Sequence, residues 1–135
     1  MKLKFYKYQG AGNDFVMIDD RENSFPISTA LIYRLCDRHF GIGADGLILL
    51  QNDEEHDFRM IYFNSDGNES TMCGNGGRCI IRFAKDLDAA SDRMTFNAID
   101  GLHHGVVDDK IIRLQMIDIN EVEDHDHYLF MNTGS

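Results

Sequence analysis

The stretch Ser70–Arg82 reads Ser-Thr-Met-Cys-Gly-Asn-Gly-Gly-Arg-Cys-Ile-Ile-Arg and holds the residues best suited to chemistry. Cys73 stands at a turn just before an apolar helix, which the spacing predicts to run to about Leu87. Gly74, Gly76 and Gly77 let the backbone bend tightly and let a ligand come close. The first N–H groups of such a helix lack partners within it and point back toward Cys73 and anything bound beside it. A thiol in that place ionises more readily, because the positive end of the helix dipole favours the thiolate. The stretch therefore reads as a reactive thiolate next to a small anion site. A lone cysteine is ordinarily inert core. Three glycines opening a helix directly after it serve packing poorly, and they turn the reading toward function.

Other elements must position that stretch. Met1–Tyr8 alternates in polarity and reads as an edge strand carrying lysines. Gly10-Ala11-Gly12-Asn13 reads as a turn, and Phe15–Ile18 as a second short strand. Asp19–Ile27 is a polar loop with the only proline, Pro26. Ser28 is a suitable N-cap for a helix in which Leu31, Ile32, Leu35 and Cys36 recur at helical spacing, up to about His39. Cys36 falls on its apolar face and reads as core.

Gly41-Ile42-Gly43-Ala44-Asp45-Gly46 fits the G-x-G-x-x-G pattern of dinucleotide sites. That pattern needs strand, glycines, then helix; here helix comes first and the apolar strand Leu47–Leu50 last. The glycines are read instead as ending the helix and turning the chain. Gln51–Asp57 is a charged loop, Phe58–Phe63 a strand, and Asp66-Gly67 a turn. In the helix after Cys73, Gly77, Ile80, Ile81, Ala84 and Leu87 share a face flanked by Cys79 and Phe83. Arg78, Arg82 and Lys85 are assigned to the remainder. Met94–Ala98, Leu102–Val107 and Ile111–Met116 follow as hairpin strands. Residues 117–126 are acidic and irregular, like a linker, and Tyr128–Met131 reads as the start of another strand. The stop after it reads as truncation at a domain boundary. The expectation is a mixed α/β (α+β) domain, about seven strands around two helices, over residues 1–117. Residues 118–135 are read as a linker and the start of a second domain.

Composition narrows the function classes. With 135 residues, 43% hydrophobic and 27% charged, the chain can bury a core of its own. A net charge of −10 repels nucleic acid and acidic membrane surfaces, so neither is expected as a partner. No apolar run reaches membrane-spanning length and the polar start lacks a signal-peptide core, so a cytoplasmic protein is expected. Three cysteines cannot all pair, and free thiols are expected. A Cys73–Cys79 disulfide is disfavoured because Cys79 should face the packed side of its helix. His103 and His104 alternate across a strand and cannot share one ion. His125 and His127 lie in the acidic stretch, and no spacing resembles a zinc site, so no metal is expected.

Met72-Cys73-Gly74-Asn75-Gly76-Gly77-Arg78-Cys79 resembles the first catalytic-cysteine motif of the diaminopimelate epimerase family. Gly10-Ala11-Gly12-Asn13-Asp14-Phe15, Arg38–Gly46 and Tyr62–Gly67 resemble further motifs of that family in the same order. Asn132-Thr133-Gly134-Ser135 resembles the start of its second domain, so the resemblance covers this chain and about half of the enzyme. It implies an antiparallel-rich curled sheet wrapped around the helix after Cys73, with a second, similar domain facing it. It also implies a cofactor-independent epimerase of LL- and meso-diaminopimelate, with Cys73 catalytic and Asn13, Asn64, Gly74 and Asn75 contacting substrate.

Removing an α-proton without pyridoxal phosphate leaves a carbanion with no electron sink. Donors on the substrate carboxylate can stabilise the charge that develops there, and the N–H groups of Gly74, Asn75 and Gly76 suit that task. Cys73 suits the base. Inversion then needs an acid on the opposite face, which in the resembling family is a cysteine of the second domain. Neither Cys36 nor Cys79 is placed for it, so the chain alone is expected not to epimerise. Its partners are then diaminopimelate and the missing C-terminal domain, and a homodimer is left open. The family often carries Gln where this chain has Gly46, which removes one side-chain contact. Two alternatives are a racemase of the same fold acting on a substrate such as proline, and a half-domain that only binds a ligand. The Asn-Gly-Gly-Arg after Cys73-Gly74 favours diaminopimelate.

Overall fold

Phe15–Ile18 and Leu47–Leu50 are continuous apolar runs, whereas the strands nearer the C-terminus alternate. A strand apolar on both sides must be covered on both sides; an alternating one needs only one cover. The structure, a computed structural model, describes residues 2–71 and 74–115 and the backbone of 128–132. In it both runs are fully buried strands. Among the described residues the strands are β1 (Tyr6–Gly10), β2 (Asn13–Asp19), β3 (Gly46–Gln51), β4 (Phe58–Asn64), β5 (Arg93–Ala98), β6 (Gly101–Asp108), β7 (Ile111–Gln115) and β8 (Tyr128–Asn132). They form one sheet in chain order. Among the same described residues there are two helices, α1 (Thr29–Cys36) and α2 (Gly74–Asp86).

The hairpins expected among Met94–Ala98, Leu102–Val107 and Ile111–Met116 are present, and further antiparallel pairs join them. Strands β1–β2, β3–β4, β5–β6, β6–β7 and β7–β8 pair antiparallel. Ala11 and Gly12 both have positive φ, 51° and 93°, as a tight turn matched to strand twist requires. The first strand starts at Tyr6, later than expected: its ladder runs from Tyr6 opposite Met17 to Gly10 opposite Asn13. The two parallel pairs, β2–β3 and β4–β5, are crossovers that carry α1 and α2.

Between those crossovers the β3–β4 hairpin reverses strand direction while the sheet keeps growing the same way. Two crossovers of one hand must then place their helices on opposite faces. The burial follows this geometry. Helix α1 packs with Val16, Ile18, Leu47, Leu49 and Phe63 on the outer face. Helix α2 packs with Phe15, Met17, Ile48, Leu50, Phe58, Met60 and Phe96 on the inner face. It touches β1, β2 and β3 on one flank and β6 and β7 on the other, so the sheet curls around it.

Helix α1 is capped by Ser28, whose hydroxyl accepts the Leu31 N–H at 3.2 Å. It ends at Cys36, short of the expected His39. The N–H groups of Ile42 and Gly43 donate to the Leu35 carbonyl, and that of Ala44 to the Cys36 carbonyl. A Cβ at Gly41 would lie 1.9 Å from the Arg34 carbonyl oxygen. The glycine run thus folds back over the helix terminus, as its order in the chain predicts.

Helix α2 departs from expectation. Arg78, assigned to the solvent side, is buried at 6% exposure together with Gly76, Gly77, Cys79, Ile80, Ile81, Phe83 and Ala84. A helix wrapped on both flanks has little solvent side left in its first half. Tyr6 and Tyr8 set their rings against Phe83, with centroids 5.2 and 5.4 Å away. Residues 116–127 and 133–135, which include the expected linker, lie outside the described residues.

Candidate functional site

The inner face of the sheet ends in a rim where β2 and β3 begin and β4 ends. Phe15, Gly46 and Asn64 form one rung across these strands. Asn13 lies two residues before Phe15 and so faces the same side. Helix α2 opens against this rim, starting at Gly74.

The structure brings two of the predicted residues into contact. The Asn75 side-chain amide donates to the Asn13 carbonyl oxygen at 2.6 Å. The Arg78 guanidinium donates to the Asn75 carbonyl oxygen, also at 2.6 Å. The Asn13 amide in turn donates to Asp45 Oδ2 at 3.2 Å. Asn64 stands exposed on the same rim, and its Cα pairs with Gly46. Gly74 is the first residue of α2. Cys73, the predicted base, lies outside the described residues.

Asp45 is held from several sides. It accepts the Asp14 N–H at 3.1 Å, and Asp14 accepts the Asp45 N–H at 3.1 Å, so the two carboxylates clip each other's backbone. Arg38 bridges both, reaching Asp14 at 2.9 and 3.1 Å and Asp45 at 3.0 Å. Lys7 adds an ion pair to Asp14 at 3.0 Å. The Arg38 hydrogen bonds, aided by Lys7 and the Asp45 N–H, hold the Asp14 carboxyl well below the usual carboxylate range. The same bonds raise Arg38 further.

Sequence reasoning missed Arg78, Asp45, Asp14 and Arg38 as parts of this assembly. Arg78 had a local signal, standing three residues after Asn75 on one helix. The others come together only through sheet pairing. Gly46 has a steric role: a Cβ there would lie 2.8 Å from the Phe63 carbonyl oxygen and 2.9 Å from Tyr62 Cε1. The phenol ring fills the space a side chain would enter.

Cys36, Cys79 and His103 sit in packing positions. Cys36 and Cys79 are both buried, and burial pushes the Cys36 thiol up to about 11. His103 is fully buried, stacks on Phe96 and lies 2.8 Å from Asp100 Oδ1, whereas His104 faces the other side. Among the described residues no three His, Cys, Asp or Glu side chains gather as a metal site would require. No described helix is long and apolar enough to cross a membrane.

A curled sheet with one helix inside and one outside is the fold of the PhzF and proline-racemase-like proteins. A phenazine biosynthesis protein of the PhzF family from Bacillus anthracis superposes with a TM-score of 0.65 at 18% identity, over 85% of this chain and 41% of that one. A hydroxyproline epimerase from Agrobacterium vitis gives 0.65 at 13% identity, over 84% and 41%. These likenesses are of fold alone. At the level of sequence, the family model described as diaminopimelate epimerase matches residues 5–116. A diaminopimelate epimerase of Flavobacterium psychrophilum is 62% identical over 98% of this chain and 53% of its own length. This chain belongs to the diaminopimelate epimerase family, and it spans about half the length of that relative.

Proposed function

We propose that this chain is the part of a cofactor-independent diaminopimelate epimerase that grips one substrate carboxylate and supplies one of two proton-transferring thiols. The observation that carries this reading is the Asn75–Asn13 hydrogen bond, which joins two family motifs at the mouth of the inner helix. Backbone N–H groups at Gly74 and Asn75 would receive the carboxylate, where charge develops as the α-proton leaves. Buried Arg78, one turn further along, adds positive charge behind them. Asn13 and Asn64 would line the same opening. Cys73, as thiolate, would take the α-proton, and a second thiol from the second domain, whose start is read within residues 118–135, would return one to the opposite face. The α-carbon then inverts with no net change in protons. The enzyme would act in the cytoplasm on a small substrate, with neither nucleic acid nor membrane as partner.

Proton NMR of LL-diaminopimelate in D₂O tests this, with the chain present and Cys73→Ala as control. Loss of the α-hydrogen signal that disappears in the control supports Cys73 as a working base. If the chain alone gives no exchange, the second domain added as a separate polypeptide should restore it. Exchange in neither case, or exchange that survives Cys73→Ala, overturns the reading.

A further inference from the structure

We propose that Arg78 and Asp45 are positioning residues that lock the Asn13 and Asn75 amides in one orientation, in which each amide nitrogen keeps one N–H for a substrate carboxylate. This rests on the carboxylate-gripping role assigned to the rim above.

The argument is one of polarity. A guanidinium only donates hydrogen bonds, and a carboxylate only accepts them. An asparagine does both, at opposite ends of one amide, and by itself has no preferred sense. Here two asparagines stand in series between an arginine and an aspartate. Every bond runs the same way: Arg78 to the Asn75 carbonyl, Asn75 amide to the Asn13 carbonyl, Asn13 amide to the Asp45 carboxylate. Turning Asn75 alone would set its NH₂ against the guanidinium and its carbonyl against the Asn13 carbonyl. Turning both would set the Asn13 carbonyl against the Asp45 carboxylate. Each alternative places like poles together in a half-buried setting, where an unmade hydrogen bond is costly.

The consequence falls on the ligand. Both side-chain carbonyls are drawn into the series, and each amide nitrogen keeps one further N–H. A carboxylate arriving at the start of α2 meets donors. Arg38 and the Asp14 N–H hold Asp45 in place, so the outer end is as fixed as the inner one.

The test uses the full 135-residue chain labelled with ¹⁵N and ¹³C. In the unmodified protein, coupling across the hydrogen bond from Asn75 Nδ2 to Asn13 Cγ is expected, and coupling in the opposite sense overturns the proposal. Asp45→Asn and Arg78→Gln each replace a one-way end by a two-way one. Both should speed hydrogen exchange of the Asn13 and Asn75 side-chain amides and weaken LL-diaminopimelate binding about tenfold, with the backbone spectrum otherwise retained. Arg78→Lys keeps a donor-only end and should restore most of the protection. Unchanged protection and affinity in Asp45→Asn sinks the idea, even if Arg78→Gln fails to fold. If the unmodified chain shows the expected coupling but binds no diaminopimelate even with the second domain added as a separate polypeptide, the positioning stands and the functional reading fails.

Discussion

The Asn75 side-chain amide reaches the Asn13 carbonyl at 2.6 Å across 62 positions of sequence, tying the first turn of α2 to the first residue of β2. The start of the inner helix is thereby fixed to the sheet rather than left to fray. Asn13→Ala and Asn75→Ala should each destabilise the fold, and the double variant should cost less than their sum by about 0.5–1.5 kcal/mol. Urea denaturation of the four proteins measures this; strict additivity would mean the bond contributes nothing.

Gly105 on β6 faces Ile81 of α2, and a Cβ there would stand 2.6 Å from Ile81 Cδ1 and 2.7 Å from Cγ1. Gly105→Ala should cost about 1–3 kcal/mol through overpacking. Adding Ile81→Val should recover part of that, read as the shift in denaturant midpoint. A Gly105→Ala protein as stable as the parent would show that α2 has room to move away from β6.

The thiols should differ in reactivity. Cys36 and Cys79 are buried, and the Cys36 thiol is pushed up to about 11 by burial. Iodoacetamide at pH 8 should therefore modify Cys73 first and reach the other two only on unfolding. Peptide mapping by mass decides it, and Cys36 labelled as fast as Cys73 contradicts it. Linkage adds an alkaline effect. The unfolded chain ionises Cys36 at its ordinary pKa, before the folded chain does. The stability this thiol contributes is complete below about 9, its ordinary value, and is lost as pH rises toward about 11.

Acid acts on a different group. Asp14 ionises well below the usual carboxylate range, chiefly through Arg38. Its contribution is full above the ordinary carboxylate pKa and disappears as pH falls from there toward the folded value. Arg38→Met should move the acid-unfolding midpoint to higher pH, followed by circular dichroism. An unmoved midpoint would assign the clip to Lys7 and the backbone instead.

Much of this arrangement could be read before any coordinates. Ser28 as a cap, Cys36 and Cys79 as core, the turns at Ala11-Gly12 and Asp66-Gly67, and the opposite orientations of His103 and His104 follow from local rules of spacing and side-chain chemistry. What escaped depends on distant segments. The parallel pairing of β2 with β3 and of β4 with β5 leaves no mark on either strand alone, although the unbroken apolar runs at Phe15–Ile18 and Leu47–Leu50 foretell double burial. Arg78 looked like a surface residue because charge periodicity cannot register a sheet that wraps both flanks of a helix. Asn13 and Asn75 were singled out separately, but the arginine and aspartate that orient them were not. Their roles arise only when the starts of β2, β3 and α2 meet.

The chain-order arrangement of the sheet has a consequence for how the molecule comes into being. Each strand docks beside the one made just before it, so growth at a single edge needs little long-range search, and the entropy of closing loops stays small. Helix α2 emerges after β1–β4 and before β5–β7. A polypeptide leaving the ribosome can therefore lay the helix on a finished half of the sheet and wind the other half over it. The helix serves as a mandrel, and nothing has to be threaded through a closed space.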